Sequence, residues 1–254
     1  MKVYIVSHKD YIFPSESVYV PIKVGSLVES LGEYAESDSV GDNIAYLNSC
    51  FCELTAAYWI WKNSQEKVVG LVHYRRYFGS SNNITKINNK SILSESEISE
   101  YMRDYDILVG KPRNYYVTSI KKHYITAHIE SDYNLLEREI KENHNIYYDA
   151  FVNVMQGTKI SLYNMFVGNK AIMDDYFSFL FEVLFSLEQK IDYHSYDTYQ
   201  KRVFGFMAER LFNVWLLYNK NKYKVKYLPI INIEGENIIL KGFGLVKRHL
   251  FNIR

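Results

Sequence analysis

The chain has 254 residues, 48% of them hydrophobic, which is enough to bury a sizeable core in one domain. Its 30 Lys and Arg residues nearly balance 29 Asp and Glu, a net charge of +1, which argues against a nucleic-acid partner. The two cysteines, Cys50 and Cys52, exclude a disulfide framework, and no Cys/His set has zinc-site spacing, so both are expected to be reduced, packed thiols.

Lys2 to Ser7 is β-branched and aromatic and reads as a first strand, which the polar His8-Lys9-Asp10 ends at once. That start is not a signal peptide, and no apolar run approaches the roughly 20 residues of a spanning helix. The expectation is a soluble, cytoplasmic protein. Asp10 to Gly41 carries Pro14, Pro21, Gly25 and Gly32 and reads as loop with at most a short helix. Leu54, Ala57, Tyr58 and Trp61 predict a helix from about Asn48 to Lys62. Val68 to Val72 is a continuous apolar run, as in a buried parallel strand, and Ser80 to Lys90 reads as surface loop.

Ser94 to Glu97 has the pattern of a capped helix start, with Asp106 to Gly110 the next strand. Helices are predicted over Asp132–Asn143, Tyr147–Met155, Ala171–Gln189 and Tyr196–Tyr218, and strands over Lys159–Val167 and Tyr223–Ile231. This alternation predicts an α/β fold with a mostly parallel central sheet flanked by helices, a single domain over 1–254 with a basic tail over about 241–254.

The richest candidate segment is Gly70 to Phe78, where a buried strand runs into His73, Arg75, Arg76 and three aromatics. Ligands of open α/β sheets bind beyond the carboxyl ends of strands, and guanidinium forks match phosphate oxygens. The competing reading is a structural ion pair at the strand end. The helix around Val203–Asn219 is apolar almost all round, its only charges being Glu209 and Arg210. Buried charges need partners, so Glu209 is either a general base or half of a structural pair. Asn164, in an apparent strand, is placed to bond a sugar hydroxyl or to satisfy buried backbone. His123 and His128 lie in a polar cluster that offers acceptor contacts or acid/base groups, against the reading as ordinary surface histidines.

Asp104-Tyr105-Asp106 matches the Asp-x-Asp pattern that holds a metal in many sugar transferases, but it precedes its strand and so lies at the wrong edge of the sheet. No metal site is therefore expected, arginine charge standing in for the ion, although a divalent metal stays open. Walker, Gly-x-Gly-x-x-Gly, Gly-x-Ser-x-Gly and His-Glu-x-x-His motifs are absent, which argues against common nucleotide hydrolases, dehydrogenases, esterases and metalloproteases.

Gly41 to Ile44, Cys52 to Trp59, Gly70 to Phe78, Tyr163 to Phe166 and Arg202 to Leu211, in that order, resemble a bacterial family long known as a domain of unknown function. Its members occur in capsule, exopolysaccharide and O-antigen assembly. The resemblance implies a GT-A-type glycosyltransferase, with galactofuranosyl transfer from UDP-galactofuranose as its best-known activity; the expected reaction is inverting transfer to a hydroxyl of a growing, lipid-linked glycan. In that reaction Val6, Ser7 and His8 are expected beside uracil and ribose, and Asp42, Asn43 and Glu53 near the donor. Arg75 and Arg76 would face the diphosphate, with His73, Asn164 and Arg210 also on the donor side. His123 and His128 would meet the acceptor, and Glu209, or failing it Asp132, would be the base. The basic tail would touch the inner face of the membrane. The alternatives are galactopyranosyl or glucosyl transfer from a UDP donor and, in another class, a non-catalytic glycan-binding protein.

Overall fold

The computed structural model describes residues 1–25 and 35–235. The expected basic tail at 241–254 lies outside the described residues. Strands in chain order are β1 (Lys2–Ser7), β2 (Tyr19–Lys23), β3 (Glu36–Ser37), β4 (Val68–His73), β5 (Arg76–Phe78), β6 (Thr85–Ile87), β7 (Lys90–Ile92), β8 (Ile107–Gly110), β9 (Arg113–Asn114), β10 (Lys159–Ile160), β11 (Phe166–Asn169), β12 (Val225–Leu228) and β13 (Ile230–Asn232). The helices are α1 (Asn48–Phe51), α2 (Leu54–Asn63), α3 (Glu95–Asp104), α4 (Ile120–Ala127), α5 (Glu130–Asn143), α6 (Tyr148–Gln156), α7 (Lys170–Glu188) and α8 (Val203–Tyr218).

The central sheet runs β12-β8-β11-β4-β1-β2-β3, with β5 beside β4 and β13 beside β5. Four of the six pairings along that order are parallel; only β11 opposes its neighbours. The expected α/β architecture with a mostly parallel sheet is thus present. Alternation divides the side chains between two cores. Tyr4, Leu71, Val109 and Phe166 face the layer of α2, α7 and α8, while Ile5, Val72, Leu108 and Val167 face α3 and the β6–β7 hairpin.

Because β11 is antiparallel, its start lies at the same sheet edge as the ends of β1, β2, β4 and β8. This edge collects the loops that carry the site. Gly70 in β4 is closely covered: a methyl group there would meet the Val167 side chain at 2.9 Å and Val3 at 3.1 Å. Gly70→Ala is therefore expected to cost about 1–3 kcal/mol of stability, read as a lower urea midpoint with an unchanged slope.

Several sequence expectations need correction. The segment from Asp10 to Gly41 contains two strands, β2 and β3, which pair parallel beside β1. The helix expected over 48–62 breaks into α1 and α2 at Cys52, whose φ is +54°. The loop over 80–90 includes most of a hairpin, β6–β7. The strand expected over 159–167 is two pieces, and between them Tyr163 and Asn164 adopt left-handed φ values of +76° and +52°. Asn164 is therefore a turn residue, a conformation its short polar side chain tolerates better than most. The long helix expected from Tyr196 starts only at Val203, and the polar cluster at 121–124 is helical, in α4. The start of α3 is as expected: Ser94 and Glu97 form a reciprocal capping box.

Candidate active site

Two adjoining cavities open at this edge. The first, about 720 Å³, is bounded by Val6 and His8 after β1, Val24 after β2, Asn48 and Cys52 at α1, and Tyr74 and Arg75 after β4. The second, about 700 Å³, lies between the β4 end, α4 and α8 and is lined by Arg113, His123, His128, Tyr163, Phe206, Glu209 and Arg210. Glu53, His73, Arg76 and Arg202 line both and form the wall between them. Among the described residues, the first cavity thus presents Arg75, Arg76, Lys201 and Arg202 against the carboxylate of Glu53. That balance suits an anion in a partly desolvated cleft.

The left-handed turn at 163–164 holds the shared wall together. The Tyr163 N–H donates to Glu209 Oε1 at 2.8 Å, and its carbonyl accepts from His73 Nε2 at 2.7 Å. A carbonyl only accepts, so the His73 proton is on Nε2. Asn164 Nδ2 donates to Glu53 Oε1 at 2.8 Å and to the Gly205 carbonyl at 3.3 Å. Two residues therefore position both carboxylates and the histidine. Arg76 lays its guanidinium 4.4 Å from the Tyr163 ring centre, so the same turn orients the arginine.

Glu209 projects from α8 with a side chain 16% exposed and receives Arg210 Nη1 on Oε2 at 2.9 Å. Arg210 is 2% exposed, also donates to the Phe206 carbonyl at 2.9 Å, and lies 5.1 Å from the Tyr124 ring centre. Burial pushes the Glu209 carboxyl above its ordinary value, against the opposing pull of Arg210 and of the Tyr163 N–H. A carboxyl tuned upward yet hydrogen-bonded in place is suited to accept a proton. Burial likewise lowers His73, which keeps it neutral, and pushes the Cys52 thiol up to about 12. Cys52 is thus an unreactive thiol that accepts from Arg202 Nε at 3.3 Å.

The residues singled out from sequence fall into distinct places. Val6, His8, Glu53, His73, Arg75 and Arg76 line the first cavity, and Glu209, Arg210, His123 and His128 line the second. His128 stacks on Phe206 at 4.0 Å, and His123 on Tyr115 at 4.2 Å, so both histidines form aromatic walls. Asn164 stands behind the wall and holds Glu53. Ser7 is turned into its own loop, donating to the Lys9 carbonyl at 2.6 Å. Asp42 accepts from Tyr58 at 3.1 Å, Asn43 donates to the Gly41 carbonyl at 2.8 Å, and neither lines these cavities. Asp132 is buried, accepts from the Tyr196 hydroxyl at 2.9 Å, and also lies outside both linings. Asp106 caps the far edge, where its side chain accepts from the Lys224 N–H at 2.8 Å. Sequence reasoning missed Arg202, Lys201, Arg113 and Tyr163; the adjacent cations Lys201-Arg202 before an apolar helix were the one available signal.

The fold and this two-chambered cleft define a mixed α/β protein whose cation-walled cavity suits an anionic ligand. It is similar to the apo structure of WbbM, a bifunctional glycosyltransferase, at 28% identity and a TM-score of 0.78, covering 92% of this chain and 45% of that one. The chain therefore spans less than half the length of that relative. The chain belongs to the family described as a domain of unknown function, DUF4422, which matches residues 2–221. No curated protein matches it. The α/β architecture expected from the sequence, a mostly parallel central sheet flanked by helices, is the one found. Among the described residues, no helix is long and apolar enough to cross a membrane.

Proposed function

We propose that this chain transfers galactofuranose from UDP-galactofuranose to a hydroxyl of a growing, lipid-linked surface glycan, with inversion. The observation that carries this reading is the pair of cavities sharing Glu53, His73, Arg76 and Arg202, with Glu209 lining only the second. The likeness to a bifunctional glycosyltransferase supports glycosyl transfer.

In this reading the donor fills the first cavity. Val6 and His8 border the nucleoside, while Arg75, Arg76, Lys201 and Arg202 face the diphosphate. The sugar lies at the shared wall. The acceptor enters the second cavity, where Tyr163, Phe206 and His128 offer ring faces to its sugars. Glu209 takes the proton from the acceptor hydroxyl, whose oxygen attacks the anomeric carbon. The bond from that carbon to the diphosphate oxygen breaks, its electron pair leaves with UDP, and the arginines stabilise the added charge. One displacement at that carbon inverts its configuration.

Guanidinium charge supplies this stabilisation without a resident metal. UDP release from UDP-galactofuranose, measured with a galactoside acceptor, is expected to depend on that acceptor and to be undiminished in excess chelator. A strict requirement for manganese or magnesium overturns the metal-independent part. Release only from UDP-galactopyranose or UDP-glucose replaces the sugar and keeps the mechanism. Glycan binding with no release from any of these donors moves the protein to the non-catalytic class.

A further inference from the structure

The wall between the two cavities carries two hydrogen-bond acceptors that are fixed from behind and bare in front. His73 gives its Nε2 proton to the Tyr163 carbonyl at 2.7 Å. A neutral imidazole bears one such proton, so Nδ1 keeps its lone pair, and burial holds the ring neutral. Among the described residues nothing donates to Nδ1, yet the atom is not sealed off; the space it meets belongs to the two cavities that His73 lines. Glu53 is arranged in the same way. Its Oε1 accepts from Asn164 Nδ2 at 2.8 Å, while Oε2 accepts from no described residue and stays accessible. The Asn164 amide cannot be turned over, because Nδ2 also donates to the Gly205 carbonyl at 3.3 Å. Its Oδ1 is thereby left buried without a partner. An unmet buried acceptor costs stability, and here that cost accompanies the holding of Glu53 in one orientation.

A bare imidazole nitrogen and a bare carboxylate oxygen call for O–H or N–H donors. A diphosphate offers acceptor oxygens and negative charge, so it does not satisfy them; a polyhydroxylated ring does. We infer that His73 Nδ1 and Glu53 Oε2 together read the transferred sugar, each accepting a hydrogen bond from one of its hydroxyls. The inference rests on the transferase reading, in which that sugar lies at this wall, and it gives the site a means of choosing among sugars. A sugar that places hydroxyls at both atoms satisfies both. One that misses either leaves a desolvated acceptor unpaired, which is the way a polar site rejects a close analogue. The two residues are specificity residues on this account, and proton transfer stays with Glu209, which lines only the second cavity.

UDP-galactofuranose and its single-deoxy analogues, each lacking one sugar hydroxyl, test this through kcat/KM for acceptor-dependent UDP release. The wild-type enzyme is expected to lose about tenfold or more on two of the analogues, one for each acceptor atom. Glu53→Gln keeps an oxygen for Asn164 and turns the free atom into a donor; His73→Phe removes Nδ1 together with the bond to Tyr163. Each variant is expected to lose about tenfold or more on the intact donor and to be indifferent to the removal of one hydroxyl, a different one in each. UDP affinity should be retained in both. The wild-type pattern needs no variant, so the test stands even if His73→Phe does not fold. A wild-type enzyme that uses every analogue as well as the intact donor overturns the inference. So does a variant that keeps the full wild-type pattern of losses across the analogues, since its residue then only shapes the wall. Failure of the transferase reading shows separately, in the wild-type enzyme with intact donors: release from another UDP-hexose moves the same scan to that sugar, and release from none removes the inference along with the reading.

Discussion

Replacing Glu209 with Gln is expected to lower acceptor-dependent UDP release by about 10²–10⁴-fold, the range removed with a general base. The substitution keeps shape and retains an oxygen that accepts the Tyr163 N–H, now 2.8 Å away. What it removes is the basic oxygen paired with Arg210 at 2.9 Å. Because Arg210 is 2% exposed, loss of that partner also lowers stability, so UDP affinity and the thermal midpoint must be read beside the rate. Retained UDP binding with lost turnover is the signature of the base; a rate near wild type sinks the assignment.

The pH profile gives the same residue a second test. Burial raises the Glu209 pKa, and the base works only as the carboxylate. Below the raised value the carboxyl holds its proton and cannot take one from the acceptor, so kcat/KM falls as pH drops through it. Above it the rate is level until other groups titrate. The acid limb is therefore expected higher on the pH scale than for an ordinary carboxylate, and it should vanish in the Gln variant. Survival of an identical limb in that variant would assign the limb to another group.

How much of this was legible in the sequence depended on how local each signal is. The ends of β1 and β4 were readable because a strand buried on both faces leaves an unbroken apolar run that stops at a polar residue, His8 or, past His73, Arg75. Glu209 stood out because α8 buries nearly everything around it. The helix α4 escaped notice because its eight residues bury only Ile120 and Tyr124, while Lys121, Lys122 and His123 dominate the pattern, although Ser119 does cap it. The break at Cys52 left no trace, since that residue type does not signal a positive φ; the turn at 163–164 showed only in Asn164, out of place in a strand, and tertiary bonds to Tyr163 hold it. Arg202 was missed for a different reason. Its partner Cys52 and the opposing Arg76 come from distant parts of the chain, and only the sheet edge brings them to one wall.

That wall sets the second large effect. Arg75 and Arg76 are equivalent in the sequence but not in the fold. Arg75 is 36% exposed, pairs with Glu234 at 2.9 Å and lies over the Tyr74 ring, so part of its charge is already answered. Arg76 stacks on Tyr163 and faces both cavities, as does Arg202. Arg76→Met is therefore expected to reduce kcat by about 10²–10³-fold, the loss found when one preorganised donor to a developing oxyanion is removed, and Arg202→Met by a similar factor. Arg75→Met should cost far less. Arg76→Lys should rescue little, because a point charge on a flexible stem keeps neither the fork nor the stacking on Tyr163. The loss should fall on kcat more than on KM, since the charge on the leaving diphosphate grows only as the glycosidic bond breaks. Equal, small losses at Arg75 and Arg76 would mean that both serve only ground-state binding, and the electrostatic work would then have to come from elsewhere in the cleft.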